Sequence, residues 1–117
     1  MEGGALTARA ETLLWMAQRA SAAVLALCVA LHLGTMIYAV RGGLSAAEIL
    51  ARTKGSLGWL AFYALFVLAV TVHVPIGLRS VLIEWLRWRG PSRDLALLGF
   101  AMLLAWLGMR AVLGVFL

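Results

Sequence analysis

Three apolar runs, at about residues 20–40, 57–79 and 95–116, constrain this 117-residue chain more than any other feature. Each reaches the roughly 20 residues that a helix needs to cross the hydrocarbon core of a bilayer. The sequence is 64% hydrophobic and only 13% charged, with a mean hydropathy of +0.99, which is too apolar for a soluble domain of this size. The expected fold is an all-α membrane protein: three transmembrane helices in an up-down-up bundle, with short amphipathic surface helices, forming a single domain over residues 1–117. Membrane lipid is then its main environment.

The net charge of +5 comes mostly from arginine. In a membrane chain that excess marks the inner face, so nucleic acid is not an expected partner. Arg79, Arg87, Arg89 and Arg93 lie between the second and third runs, against Arg41, Arg52 and Lys54 between the first and second. The expected topology therefore places residues 80–94 and the N-terminus in the cytoplasm and the C-terminus outside. Trp15, Trp85 and Trp88 would sit at the inner interface, with Tyr38 and Trp59 at the outer one. Glu2 and Glu11 interrupt a basic front end, and the first run is long enough to span, so a cleaved signal peptide is not expected.

Along the chain, residues 7–16 read as a short interfacial helix ahead of the first span. Arg41-Gly42-Gly43 ends that span. Ser45, with Glu48 three residues on, reads as a capping box opening a surface helix that Gly55 stops. The second span is expected to continue as an amphipathic extension through Glu84 to Arg89. Gly90-Pro91-Ser92 breaks the chain, with Ser92 or Asp94 capping the third span. Cys28 is the single cysteine, which excludes an internal disulfide or a cysteine metal cluster and suits a small packing residue.

Few side chains in the spans resist a purely structural reading. His73 is followed by Gly77 one turn later, and Phe66, His73, Gly77, Ser80 and Glu84 fall on one helical stripe. An imidazole in hydrocarbon needs a partner, and a missing side chain one turn away admits something flat. An axial haem ligand satisfies both demands, with Gly77 making room for the porphyrin and Arg79 near a propionate or a quinone carbonyl. A histidine hydrogen-bonded to a neighbouring helix is the plainer alternative. Pro75 frees a carbonyl one turn back, near the same place.

His32 lies on a stripe with Gln18, Ser21, Leu25 and Cys28, a polar-to-small seam expected to face protein. It reads as an interhelical hydrogen-bonding residue or as a second axial ligand. Its position, thirteen residues past Arg19, is about 20 Å from the inner edge, whereas His73 is about 9 Å from it, six residues before Arg79. One haem needs both ligands at similar depth, so the two histidines would serve two haems. A second membrane-anchor chain or a second copy of this one would complete each iron. Arg110, in the outer half of the third span, either snorkels to head groups or balances a propionate of the outer haem. Gln18, Arg19 and Ser21 are the polar groups at the inner edge of the first span, and Arg19 reads equally as a positive-inside anchor.

From His73 to Glu84 the sequence resembles the cytochrome b membrane-anchor subunits of the succinate dehydrogenase and fumarate reductase family. Their second helix carries a histidine, a glycine four residues later, an arginine six later and an acidic residue beyond, as His73, Gly77, Arg79 and Glu84 do here. Arg19-Ala20-Ser21-Ala22 is similar to the family's arginine-x-serine-glycine, with alanine in the glycine's place. That resemblance implies that Arg19 and Ser21, with Glu84, surround a quinone head group near the inner interface, where a carbonyl needs donors and reduction needs protons. The resemblance implies haem b, one or two per complex and shared with a partner chain, and a quinone as substrate. It also implies an iron–sulfur subunit and an FAD flavoprotein docked on the cytoplasmic face of a bacterial inner membrane. Electrons would pass between the clusters and the quinone, and the chain would not be catalytic alone. Competing readings are a haem-free structural anchor, the anchor of a different flavoprotein dehydrogenase, and a small proton-coupled transport subunit in which His73 and Glu84 relay protons.

Overall fold

The computed structural model describes residues 2–117, with side chains described from Thr7 onward. Among these residues the chain is wholly helical: α1 (Glu2–Arg41), α2 (Ala46–Thr53), α3 (Leu57–Leu86) and α4 (Pro91–Phe116). The three long helices are each apolar and long enough to cross a membrane, over Thr7–Arg41, Leu57–Leu86 and Pro91–Phe116. The expected interfacial helix over residues 7–16 is not a separate element. Nothing from Thr7 to the first span breaks the helical pattern, and α1 runs through both.

The helix ends follow from local chemistry. After α1, Gly42 N–H donates to the Tyr38 carbonyl at 2.9 Å and Leu44 N–H to that of Ala39 at 3.0 Å. Gly43 supplies the left-handed turn that these bonds require, at φ 63°. The capping box at α2 forms as the sequence suggests: Glu48 N–H donates to Ser45 Oγ at 3.2 Å and Ser45 N–H to Glu48 Oε2 at 2.6 Å. Gly55 turns the chain at φ 70° into Ser56, the N-cap of α3.

Helix α3 continues through Pro75 but stops at Leu86, short of the expected Arg89. Arg87 adopts a left-handed conformation, φ 52°, and Trp88 N–H closes the end on the Leu82 carbonyl at 3.0 Å. Neither expected cap opens α4. Ser92 Oγ accepts instead from Trp88 Nε1 at 2.9 Å, and Asp94 Oδ1 from the guanidinium of Arg93 at 2.6 and 2.9 Å. Pro91 at the first helical position has no N–H to satisfy and its fixed φ starts the helix, so a side-chain cap has less to do.

Helix α3 is the middle of the bundle, with α1 on one side and α4 on the other. Both pairings are antiparallel. Against α3, Glu11 meets Arg79, Ser21 meets His73, and His32 meets Phe66 and Tyr63. The α1 face that makes these contacts is an alternating four-and-three stripe, Glu11, Leu14, Gln18, Ser21, Leu25, Cys28 and His32, the spacing that keeps one seam on a neighbouring antiparallel helix. Ser21 and Cys28 on it are buried, so the seam does face protein.

Helix α4 approaches α3 closely at Gly108, where a Cβ would lie 2.7 Å from Val67 Cγ1. The α2 segment closes the C-terminal end of α4: Thr53 Oγ1 donates to the Val115 carbonyl at 2.9 Å and Gly55 N–H to the Phe116 carbonyl at 2.8 Å. Two of the four carbonyls that any helix leaves open at its C-terminus are thereby satisfied. Few apolar side chains are fully buried, Cys28, Ala69, Leu97 and Val112 among the described residues. Lipid tails are as apolar as leucine, so a membrane bundle gains by close backbone approach at small residues more than by enclosing a large core.

Candidate functional site

The α1–α3 seam carries both histidines. His73 is half-buried, with Nδ1 3.4 Å from Ser21 Oγ. The Ser21 hydroxyl also reaches the Gln18 carbonyl one turn back, at 3.1 Å. A hydroxyl has one proton to give. With that proton on the Gln18 carbonyl, Ser21 Oγ accepts from His73 Nδ1–H. The lone pair of His73 then sits on Nε2, which has no hydrogen-bond partner among the described residues. A ring nitrogen pinned by a neighbour, with the other nitrogen free and basic, is the arrangement by which proteins orient a histidine ligand.

Gly77 lies one turn below His73. Its missing side chain is what lets Gln18 of α1 come close, since a Cβ there would stand 3.2 Å from Gln18 Nε2. Gln18 Oε1 is buried and has no hydrogen-bond partner. An orphaned acceptor of this kind is costly in hydrocarbon unless something polar reaches it. The amide is the far end of a flexible side chain and yields more readily than backbone would.

His32 packs edge-on against the rings of Tyr63 and Phe66, both at 5.8 Å. It makes no interhelical hydrogen bond among the described residues, so the plainer reading of this histidine is not what the packing provides. It borders two clefts, one of about 240 Å³ with Arg52, Trp59 and Tyr63, and one of about 280 Å³ with Phe66, Gly108 and Val112. On α3, Tyr63 and Phe66 precede His73 by ten and seven residues, which separates the two imidazoles by about 10–15 Å along the bundle.

The other candidates are dispersed. Arg79 follows Gly77 by two residues, about 200° around the helix, and its side chain pairs with Glu11 of α1 at 2.8 Å. Arg19 likewise projects away from Ser21 and covers the Trp15 ring at 5.2 Å. Glu84 is exposed, without an ion pair or hydrogen bond among the described residues. This chain alone therefore does not gather Arg19, Ser21 and Glu84 into one pocket. Arg110 is exposed over the Trp106 ring at 5.1 Å, on a face of α4 that also presents Gly99 and Gly114 outward. Sequence reasoning did not single out Glu11 or Gly108. Extending the four-and-three spacing back from Gln18 through Leu14 reaches Glu11, whereas nothing in the sequence marks Gly108 apart from the other glycines of α4.

Three antiparallel membrane helices, with two imidazoles on one interhelical seam and a nearly all-apolar exterior, define a multi-pass membrane subunit. The chain belongs to the succinate dehydrogenase/fumarate reductase transmembrane subunit family, whose sequence profile matches residues 4–115. It is a membrane subunit of an oxidoreductase complex that contains further subunits. No curated protein and no solved structure matches it significantly.

Proposed function

We propose that the chain is a haem b-binding anchor that passes electrons between the iron–sulfur clusters of a docked dehydrogenase and a membrane quinone. The observation that carries this reading is the Ser21–His73 pair, which leaves His73 Nε2 unpartnered within the spans. The residues fit a b-type haem: an imidazole with Ser21 against its Nδ1, a glycine one turn away, and the orphaned Gln18 Oε1 of the residue that packs on that glycine. Haem b held there would supply a one-electron centre between the clusters and the quinone.

The residues of this chain bind and orient. His73, with Ser21 against its Nδ1, would hold an inner haem. His32, whose nitrogens have no hydrogen-bond partner among the described residues, would hold an outer one. Arg79 and Arg110 would keep cations at the inner and outer levels. A partner membrane chain, or a second copy, would complete each site. Arg19 and Glu84 serve the quinone at the cytoplasmic interface together with groups from that partner, and Glu84 supplies the proton, while the Ser21 hydroxyl is already engaged with the Gln18 carbonyl and His73. An iron–sulfur subunit and an FAD flavoprotein dock on the same face, with the N-terminus of this chain in the cytoplasm of a bacterial cell.

Pyridine hemochrome and reduced-minus-oxidised spectra of the purified complex test this. We expect His73→Ala to remove the inner haem and His32→Leu the outer one, each with the complex still assembled. A pigment-free but intact complex overturns the haem reading. One haem, with an unaltered spectrum in His32→Leu, leaves His32 as a packing residue.

A further inference from the structure

A groove of about 620 Å³ opens between the N-terminal part of α1 and α4, floored by Pro75, Ile76 and Arg79 of α3. Its walls are apolar, with Leu14, Ile76, Leu97 and Leu98, and its rim carries Glu11, Arg79 and Asp94. Those rim residues include the first charges met on α3 and α4 on leaving the apolar core at this end. The groove therefore straddles the boundary between hydrocarbon and head groups.

We propose that this groove seats a zwitterionic, amine-headed phospholipid, its ammonium on the two carboxylates and its chain against the apolar walls. The charges argue for this class. Glu11 pairs with Arg79 at 2.8 Å, and Asp94 pairs at 2.6 Å with Arg93, which does not line the groove, so the lining itself carries one net negative charge and suits the ammonium of a head group. The cations are the covered partners, at 23% and 8% side-chain exposure, and the carboxylates the open ones, at 54% and 62%. What faces the lipid is thus rich in acceptors. A primary ammonium brings three N–H donors to them, while Arg79, forked and part-exposed, has N–H groups left for the phosphate. A choline head has no N–H to give. An anionic head without an amine would meet two carboxylates. A quinone carbonyl is itself an acceptor and gains nothing from Glu11 or Asp94.

The test uses the whole complex, reconstituted in nanodiscs of equal phosphatidylethanolamine, phosphatidylcholine and phosphatidylglycerol, released into detergent and weighed by native mass spectrometry. The expected result is one phosphatidylethanolamine retained per copy of this chain. Loss of one charge-assisted bond in Glu11→Gln or Asp94→Asn should lower retention about tenfold. Ala101→Phe, which fills the groove without touching a charge, should abolish it. Subunit stoichiometry in the same spectra reports assembly, so a variant that fails to assemble is replaced by the other two. Retention of the other two lipids or of a quinone in place of the ethanolamine lipid, no retained lipid, or equal retention in assembled variants overturns the proposal.

Discussion

Ser21 and His73 face each other across the α1–α3 seam, Oγ 3.4 Å from Nδ1, so the polar contact of the ring within this chain is at Nδ1 and not at Nε2. Because Ser21 is buried, no competing water from the bilayer replaces it. Ser21→Ala should leave the helices packed and lower haem retention about 10-fold to 100-fold, the usual effect of losing an outer partner of a ligating histidine. Ser21→Thr, which keeps the hydroxyl, should retain most of it. Haem-to-protein ratio after detergent purification measures both. Equal ratios in the wild type and Ser21→Ala would refute the orienting role.

Gly108 should be intolerant of side chains. A Cβ there meets Val67 Cγ1 at 2.7 Å and Cγ2 at 3.0 Å, and a β-branched residue in a helix has no alternative rotamer to retreat to. Gly108→Ala is expected to cost about 1–3 kcal/mol of stability, the range for overpacking a close contact. Val67→Ala in the same chain should restore much of it. Thermal unfolding of the detergent-solubilised complex reads the pair, and additive losses would count against direct contact.

Thr53 ties α2 to the end of α4 through the Val115 carbonyl at 2.9 Å. Thr53→Val keeps the shape and removes the donor, leaving a part-buried carbonyl unsatisfied. A loss of about 1–2 kcal/mol is expected, confined to the α2 region. Hydrogen exchange should quicken in α2 and at the end of α4, with α1 unchanged. Uniformly faster exchange would show that the tie is not local.

Acid should loosen α2. The Ser45 backbone N–H, and then its side chain, hold the Glu48 carboxyl below the usual carboxylate range. A carboxyl lowered by folding contributes stability that is present above its unfolded value and is lost as pH falls through its folded value. Protection factors in residues 45–53, taken against the intrinsic exchange rate at each pH, should therefore fall on acidification through and below that range. Glu48→Gln should remove the pH dependence while keeping part of the capping box. A wild-type profile that matches Glu48→Gln would disprove the assignment.

Much of this architecture was legible in the sequence because its signals are local or periodic. Run length decided three spans. Ser45 and Glu48, three residues apart, decided the start of α2, since both partners of a capping box lie within one turn. The seam of Gln18, Ser21, Cys28 and His32 announced a protein-facing side of α1, because a polar stripe cannot face lipid cheaply. The end of α3 was less legible. The apolar pattern of its extension continues past Leu86, yet a left-handed Arg87 and the Trp88 bond to Leu82 end it.

What only the tertiary structure decided is which residues meet across helices. Nothing in sequence spacing says that Gly77 accommodates Gln18, that Arg79 pairs with Glu11, or that Val67 rests on Gly108. Those pairings depend on the register and crossing of α1 and α4 on α3, which small residues and long polar arms fix jointly. The sequence by itself determined a three-span membrane chain with two imidazoles at separate depths. The packing determined that His73 meets Ser21, that Arg79 pairs with Glu11, and that both of these charges border a groove between α1 and α4. A helical stripe specifies a direction around one axis, and only the neighbouring helix gives that direction a partner.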